Sequence, residues 1–374
     1  MDDSTHNVEQ DPSHEDAFPL GFPTALEARK SLLEDLQKWR KASDVHAAAT
    51  LSLEMKCGQP KRPTFFERQA TPWSACRERC QCVHFAWPEP RPRPPIFDVD
   101  LVGCELKLVK RIQRLEPPEN YRAQLYDATI ARDTTDTPTS VIAKVYQASL
   151  SRRVAYLAHV DYEESIEVAL PFRREKWAYE RMKHYEGTAI PHIAGFFQTT
   201  LPHGEPVVVL IMERVHSLLE NYISKPWSPT PPILDGMPEA DMLRAIVYGM
   251  AATTHAMWSC GVMQLDMAGP NYLWPTFGID LLSTPCIPVA VDFVQTITSD
   301  DDEDWKAYHS LHSTLKVFTE YQITGSKLAD ALVGLLETDS KIKMAFQLPN
   351  KGEIGYFDWE ASLERLRQTQ VEYQ

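Results

Sequence analysis

Residues 261–274 read GVMQLDMAGPNYLW. The opening GVM has strand character. A polar turn follows, in which Asp266 is succeeded five positions later by Asn271. Downstream, VAVDFVQ at 289–295 places a second carboxylate, Asp292, at the end of an apolar run. A carboxylate, an amide oxygen and another carboxylate, in that order, are what phosphoryl transfer asks of a protein. The first orients an attacking hydroxyl, and the other two are hard oxygen ligands for magnesium.

Outward from this stretch the chain changes character. Just before it, residues from about Pro238 to Ser259 carry Met242, Ile246, Met250 and Met257 on one helical face, with Gly261 closing the helix. Earlier still, LVGCELKLVKRI, AQLYDATIA and SVIAKVYQ read as three strands. In the third, Ile142, Lys144 and Tyr146 point to one face and Val141, Ala143 and Val145 to the other. Residues 171–186 read as a helix, with Pro171 in its first turn and Gly187 as its stop. Phe172, Glu175, Tyr179 and Met182 share one inward face of that helix. A carboxylate there needs a cation, and Lys144 is the obvious one for Glu175, with Glu180 ranked second. IAGFFQTT and VVVLIMERV form a hairpin around LPHGEP, and the chain beyond Asp292 is mostly helical. The expected class is α+β, a β-rich part with one helix preceding an α-rich part.

Five segments, VIAK at 141–144, RREKWAY at 173–179, LIMERV at 210–215, QLDMAGPN at 264–271 and VDFV at 291–294, fall in an order that resembles the protein-kinase-like superfamily. The chain is most similar to divergent fungal kinase-like proteins lying between eukaryotic protein kinases and aminoglycoside/choline-type kinases, over about residues 98–320. The resemblance implies a two-lobed fold, with residues 98–215 as the N-lobe and 216–374 as the C-lobe. It implies ATP and Mg2+ as cofactors. Lys144 would meet the α- and β-phosphates and pair with Glu175, and the backbone of Met212, Glu213 and Val215 would read adenine. Asp266 would be the catalytic carboxylate, and Asn271 and Asp292 the metal ligands. No A-P-E sequence follows Asp292; an acidic run, Asp300 to Asp304, leads directly into a helix-like stretch. This favours a small hydroxyl-bearing substrate over a protein. Other departures support an alternative, a pseudokinase that binds or scaffolds without transfer. The turn QRLEPPENYR at 113–122 has no glycine, and Pro117 and Pro118 have no N–H for a phosphate. Ile142 stands where the family has alanine, Gln264 where it has histidine and Val294 where it has glycine.

Composition bounds the rest. With 374 residues there is room for about two lobes. The net charge of −14 argues against nucleic acid or an acidic membrane as partner. No apolar run approaches the roughly 20 residues of a membrane span. Seven cysteines and a polar N-terminus without signal-peptide character point to a cytoplasmic or nuclear setting. Residues 1–23 read as a disordered tail, and 24–97 as an N-terminal extension that offers a surface to a protein partner. It begins with an amphipathic helix, Thr24 to Lys41, carrying Leu26, Leu32, Leu33, Leu36 and Trp39. Cys76, Cys80, Cys82 and His84 are too crowded for a usual zinc site and read as plain thiols in a loop. The extension ends in WPEPRPRPPIF, an extended, semi-rigid boundary.

Overall fold

Leu106 and Leu108, Tyr126, Ala128 and Ile130, and Val141, Ala143 and Val145 occupy every second position of three strands, and all are at most 1 % exposed. That period-two burial makes one face of a sheet the core of the first unit. The structure is a computed structural model. It describes residues 26–42, 49–57, 87–112, 123–132, 137–150, 170–215, 239–264, 271–275, 287–298, 334 and 338. The chain divides into two compact units. The first comprises residues 1–62, 99–173 and 194–211, and the second 63–98, 174–193 and 212–374.

Unit 1 is built on a seven-stranded sheet. Its strands are β1 (Thr50–Ser52), β2 (Met55–Lys56), β3 (Glu105–Arg111), β4 (Gln124–Ala131), β5 (Thr139–Tyr146), β6 (Ile193–Thr200) and β7 (Pro206–Glu213). The spatial order is β1-β3-β4-β5-β7-β6-β2. β3 pairs antiparallel with β4, and β4 with β5, in a register that sets Leu125 opposite Lys144. The ladder slips between Leu108 and Lys110, so Val109 is bulged outward and is 49 % exposed. β1 and β2 are separated only by Leu53 and Glu54, yet they lie at opposite edges of the sheet. Three residue steps reach about 10 Å at most, so the sheet has to curl until its edges meet. The link itself closes the gap: Leu53 N–H donates to the Cys104 carbonyl at 3.1 Å and Glu54 N–H to the Gln198 carbonyl at 2.9 Å.

The extension expected over 24–97 is therefore not separate from this sheet, since residues 50–56 form both of its edges. Leu51 and Leu53 are 1 % and 0 % exposed, and their alternation with Ser52 and Glu54 is a strand signal the sequence already carries. Helix α1 (Leu26–Lys41) forms as expected from its apolar spacing, and its Leu36 is buried. It packs on a 3-10 turn at Ala148–Leu150. Thr24, where that helix was expected to begin, lies outside the described residues, as do the tail, the Cys76–His84 run, residues 113–122 and the acidic run after residue 299.

The remaining elements are α2 (Leu170–Arg181), α3 (Glu239–Ser259), β8 (Val262–Gln264), β9 (Tyr272–Leu273), β10 (Val289–Ala290) and β11 (Thr296–Thr298). The helix expected over 171–186 tightens after Arg181 into a 3-10 turn, Lys183–Tyr185, before Gly187 ends it at φ 78°. In unit 2, α3 buries Met250, Ala251, Ala252, Ala256 and Met257 and stops at Gly261, φ 68°. β8 pairs antiparallel with β11, and β9 with β10. Among the described residues the architecture is thus mixed α and β with a curled antiparallel sheet. No helix among them is long and apolar enough to cross a membrane.

Candidate functional site

Two short ladders frame Asp292. Val291 N–H donates to the Asn271 carbonyl at 2.9 Å, which extends the β9–β10 pairing by one step. After Asp292 the chain makes a single 3-10 turn, Phe293–Gln295, and returns as β11 against β8. The turn is sharp because Asp292 adopts φ 63°, ψ 64°, the one non-glycine residue with positive φ among those described. A left-handed residue with a side chain is disfavoured by about 1–2 kcal/mol, and aspartate tolerates it better than most. Such an outlier persists only where its surroundings hold it, and it is a pointer to function.

Two groups supply that hold. On the carbonyl side, Gln264 Nε2 donates to the Asp292 carbonyl at 2.5 Å and lies 3.5 Å from that of Val291. Gln264 is 5 % exposed and ends β8. On the other side, Glu175 Oε1 accepts the Phe293 N–H at 3.4 Å. Glu175 is 0 % exposed, and its expected face-mates Tyr179 and Met182 are buried with it. Glu180, the second-ranked partner, is exposed. Tyr179 packs its ring edge-on against Phe293, centroids 5.0 Å apart at 83°. Its hydroxyl lies 4.0 Å from Met212 Sδ. Burial, then the charges of Glu175 and Asp292, hold this phenol well above the ordinary value. It is therefore neutral.

Magnesium prefers oxygen ligands, takes one or two carboxylates and keeps several waters. Asn271, buried, and Asp292, partly accessible and held in a fixed turn, offer such a donor set. The residues present fit the ion. No cluster of three or more His, Cys, Asp and Glu among the described residues could hold a metal by itself. Asp266, the catalytic carboxylate of the expected trio, lies outside the described residues.

Lys144 belongs to unit 1, whereas Glu175, Asn271 and Asp292 belong to unit 2. Lys144 is 6 % exposed, and its Nζ sits 5.6 Å from the centre of the Tyr146 ring, two residues on along the same face of β5. Tyr146 is packed in turn against Phe172 and Phe196. The ammonium is thus carried on a rigid aromatic base, not on a mobile surface strand.

The expected adenine-reading segment is differently employed in part. Glu213 N–H donates to the His192 carbonyl at 2.8 Å, so that amide is committed to the β6–β7 ladder. Its carboxylate takes Arg91 in a bidentate pair, Nε at 2.7 Å and Nη2 at 3.1 Å, and also accepts the His192 N–H at 2.9 Å. Met212 and Val215 flank it, both buried. Arg91 further donates to the Thr188 and Ile190 carbonyls, and Arg93 pairs with Glu186 at 2.6 Å. The proline-rich 87–97 stretch is therefore a strap bound to unit 2, and the division into units falls just after it, at Asp98 and Val99. Proline spacing showed that it is extended; only the fold shows what its arginines meet. Gly187 is required beneath it, since a Cβ there would stand 2.6 Å from His192 Nε2.

His192 is expected to make the strap pH-dependent. Its Nε2 donates to the Arg91 carbonyl at 2.7 Å, which leaves Nδ1 facing Glu186 Oε2 at 3.6 Å. Burial lowers its pKa, but Glu186, the Arg91 carbonyl and the Glu213 charge outweigh this and raise it overall. A raised histidine contributes stability that is complete below about pH 6.5 and lost as pH rises through the folded value. After correction for intrinsic rates, amide exchange across residues 87–98 is expected to quicken as pH rises above that window. His192→Gln should remove the dependence; an unchanged profile in that variant would assign it elsewhere.

Compared with known proteins, the chain matches no protein-family model, and no curated protein matches it. What can be said of function comes from the residues and their geometry. Sequence reading passed over two of these: Gln264 was noted only as a departure, and Tyr179 only as an apolar face-mate of Glu175. Their spacings, two residues before Asp266 and four after Glu175, were the available signals.

Proposed function

We propose that the chain is an ATP- and magnesium-dependent phosphotransferase of protein-kinase-like, two-lobed design that acts on a small-molecule hydroxyl. The observation that carries this reading is the Asp292 turn. A carboxylate is held in left-handed backbone beside Asn271, by a glutamine on one side and by the Glu175 helix on the other. In this reading Asp266 takes the proton of the attacking hydroxyl. The hydroxyl oxygen bonds to the γ-phosphorus as the bond to the β–γ bridging oxygen breaks, and ADP leaves. Asn271 and Asp292 would hold magnesium, which when bound neutralises charge on the phosphates. Lys144 supplies a cation to the α- and β-phosphates.

The alternative, a binding module on the same design, is favoured by Pro117 and Pro118 in the turn where glycines would otherwise offer N–H groups. Melting temperature with and without Mg-ATP, on wild type and Lys144→Ala, tests the nucleotide site. Ligand at 100 times its dissociation constant stabilises by about 2.7 kcal/mol, a shift of several degrees. A magnesium-dependent shift lost in Lys144→Ala is the expected result. No shift at millimolar nucleotide would remove ATP from the reading.

A further inference from the structure

Building on the phosphotransferase reading, we propose that Arg91 is a positioning residue for the nucleotide base, holding the segment 212–215 in place through Glu213. Strap, segment and the residues 186–193 that join them all belong to unit 2. Arg91 lies between Pro90 and Pro92, in a stretch where every second residue from 88 to 94 is proline. Proline fixes φ, so the strap is stiff and little freedom is lost in placing the arginine. Both backbone groups of Arg91 are used. Its N–H donates to the Gly187 carbonyl at 2.9 Å, and its carbonyl accepts His192 Nε2 at 2.7 Å. The guanidinium adds two bonds to the Glu213 carboxylate and one each to the Thr188 and Ile190 carbonyls. The Arg91 side chain is 14 % exposed and that of Glu213 11 %.

Glu213 is where the strap meets the segment. Its N–H donates to the His192 carbonyl and its carboxylate accepts the His192 N–H, so backbone and side chain grip one residue. Arg91 neutralises that carboxylate and orients both of its oxygens. A part-buried carboxylate without its cation is drawn toward water. The residues beside it, whose backbone the reading assigns to adenine, shift with it. Lysine at position 91 keeps the charge but is a point donor, unable to span Glu213, Thr188 and Ile190 together. Arg93 retains its own bonds to Glu186 and the Ile193 carbonyl, so the strap stays docked in Arg91→Lys. The lesion is confined to the base, because in this reading Lys144 and the metal meet the phosphates from other elements.

The test uses the full chain and calorimetric binding of two probes, Mg-ATP and Mg-tripolyphosphate, which share their phosphates and differ in the nucleoside. In Arg91→Lys the affinity for Mg-ATP should fall about tenfold, the worth of one well-placed hydrogen bond. The affinity for Mg-tripolyphosphate should stay as in wild type. A folded Arg91→Lys in which the ratio of the two affinities is unchanged overturns the positioning role and leaves the phosphotransferase reading intact. A wild type that binds neither probe overturns that reading, and the positioning role with it. Should Arg91→Lys not fold, Glu213→Gln keeps the shape of the side chain and an oxygen for the His192 N–H, but loses the charge that binds Arg91. A selective loss of Mg-ATP affinity in that variant supports the role, and an unchanged ratio overturns it.

Discussion

Replacing Glu205 by alanine is expected to destabilise unit 1 by about 3–5 kcal/mol, the loss of several charge-assisted hydrogen bonds at one buried point. Glu205 is 0 % exposed and ends the turn between β6 and β7. Its carboxylate accepts the Ser149 N–H at 2.9 Å, the Ser149 hydroxyl at 2.7 Å, Gln147 Nε2 at 2.8 Å and His203 Nε2 at 3.1 Å. Gln147 Oε1 accepts Gln124 Nε2 at 3.0 Å, and Gln124 Oε1 accepts the Tyr126 hydroxyl. The network runs from β4, past the end of β5, to the hairpin. It holds the 3-10 turn on which α1 packs. Without Glu205, the Ser149 N–H and hydroxyl, at 0 % exposure, lose their acceptor and Gln147 Nε2 keeps only Ser149 Oγ at 3.2 Å; each buried orphan costs about 1–3 kcal/mol. His203 is at the accessible rim, so His203→Ala should cost much less. Urea unfolding of the three proteins decides the matter. A Glu205→Ala loss below about 1 kcal/mol would mean that this carboxylate is not the centre of the network.

That network was invisible in the sequence, and the reason is physical. Glu205, Gln147 and Ser149 are polar, and nothing in their local pattern distinguishes a buried acceptor from a solvated loop carboxylate; burial is decided by strands distant in the chain. What period and punctuation encode was legible. Alternation gave β3, β4 and β5, the turn LPHGEP gave the β6–β7 hairpin, and apolar spacing gave α2 and α3 to within a few residues, apart from the 3-10 end of α2. The inward face of α2 was legible too, because Phe172, Glu175, Tyr179 and Met182 recur at helical spacing. β1 and β2 were missed because each is so short that pairing, not propensity, creates it. In the candidate site, spacing singled out Asp292 and Asn271, whereas the left-handed turn was not predictable. Asp292 carries no glycine to announce it, and the groups that hold the turn come from α2 and β8.

The second large effect is expected at Asp292. Asparagine tolerates left-handed backbone about as well as aspartate does, so Asp292→Asn should leave the turn and the melting temperature almost unchanged while removing a negative charge from the metal site. If the phosphotransferase reading holds, turnover should fall by about 10²–10⁴-fold, or roughly 3–5 kcal/mol of barrier. Because the lesion lies in metal affinity, raising Mg2+ should recover part of the rate. Asp266→Ala should cost a similar factor, the usual effect of losing a positioned base, but with no recovery at high Mg2+, since the missing group handles a proton. The contrast separates the two carboxylates by role and not merely by importance. Asp292→Asn turnover within tenfold of wild type would show that this carboxylate does not hold the ion. The pseudokinase alternative predicts a third pattern, in which wild type and both variants share one background rate at every Mg2+ concentration. The left-handed turn would then be a structural device that joins α2 to the β8–β11 ladder.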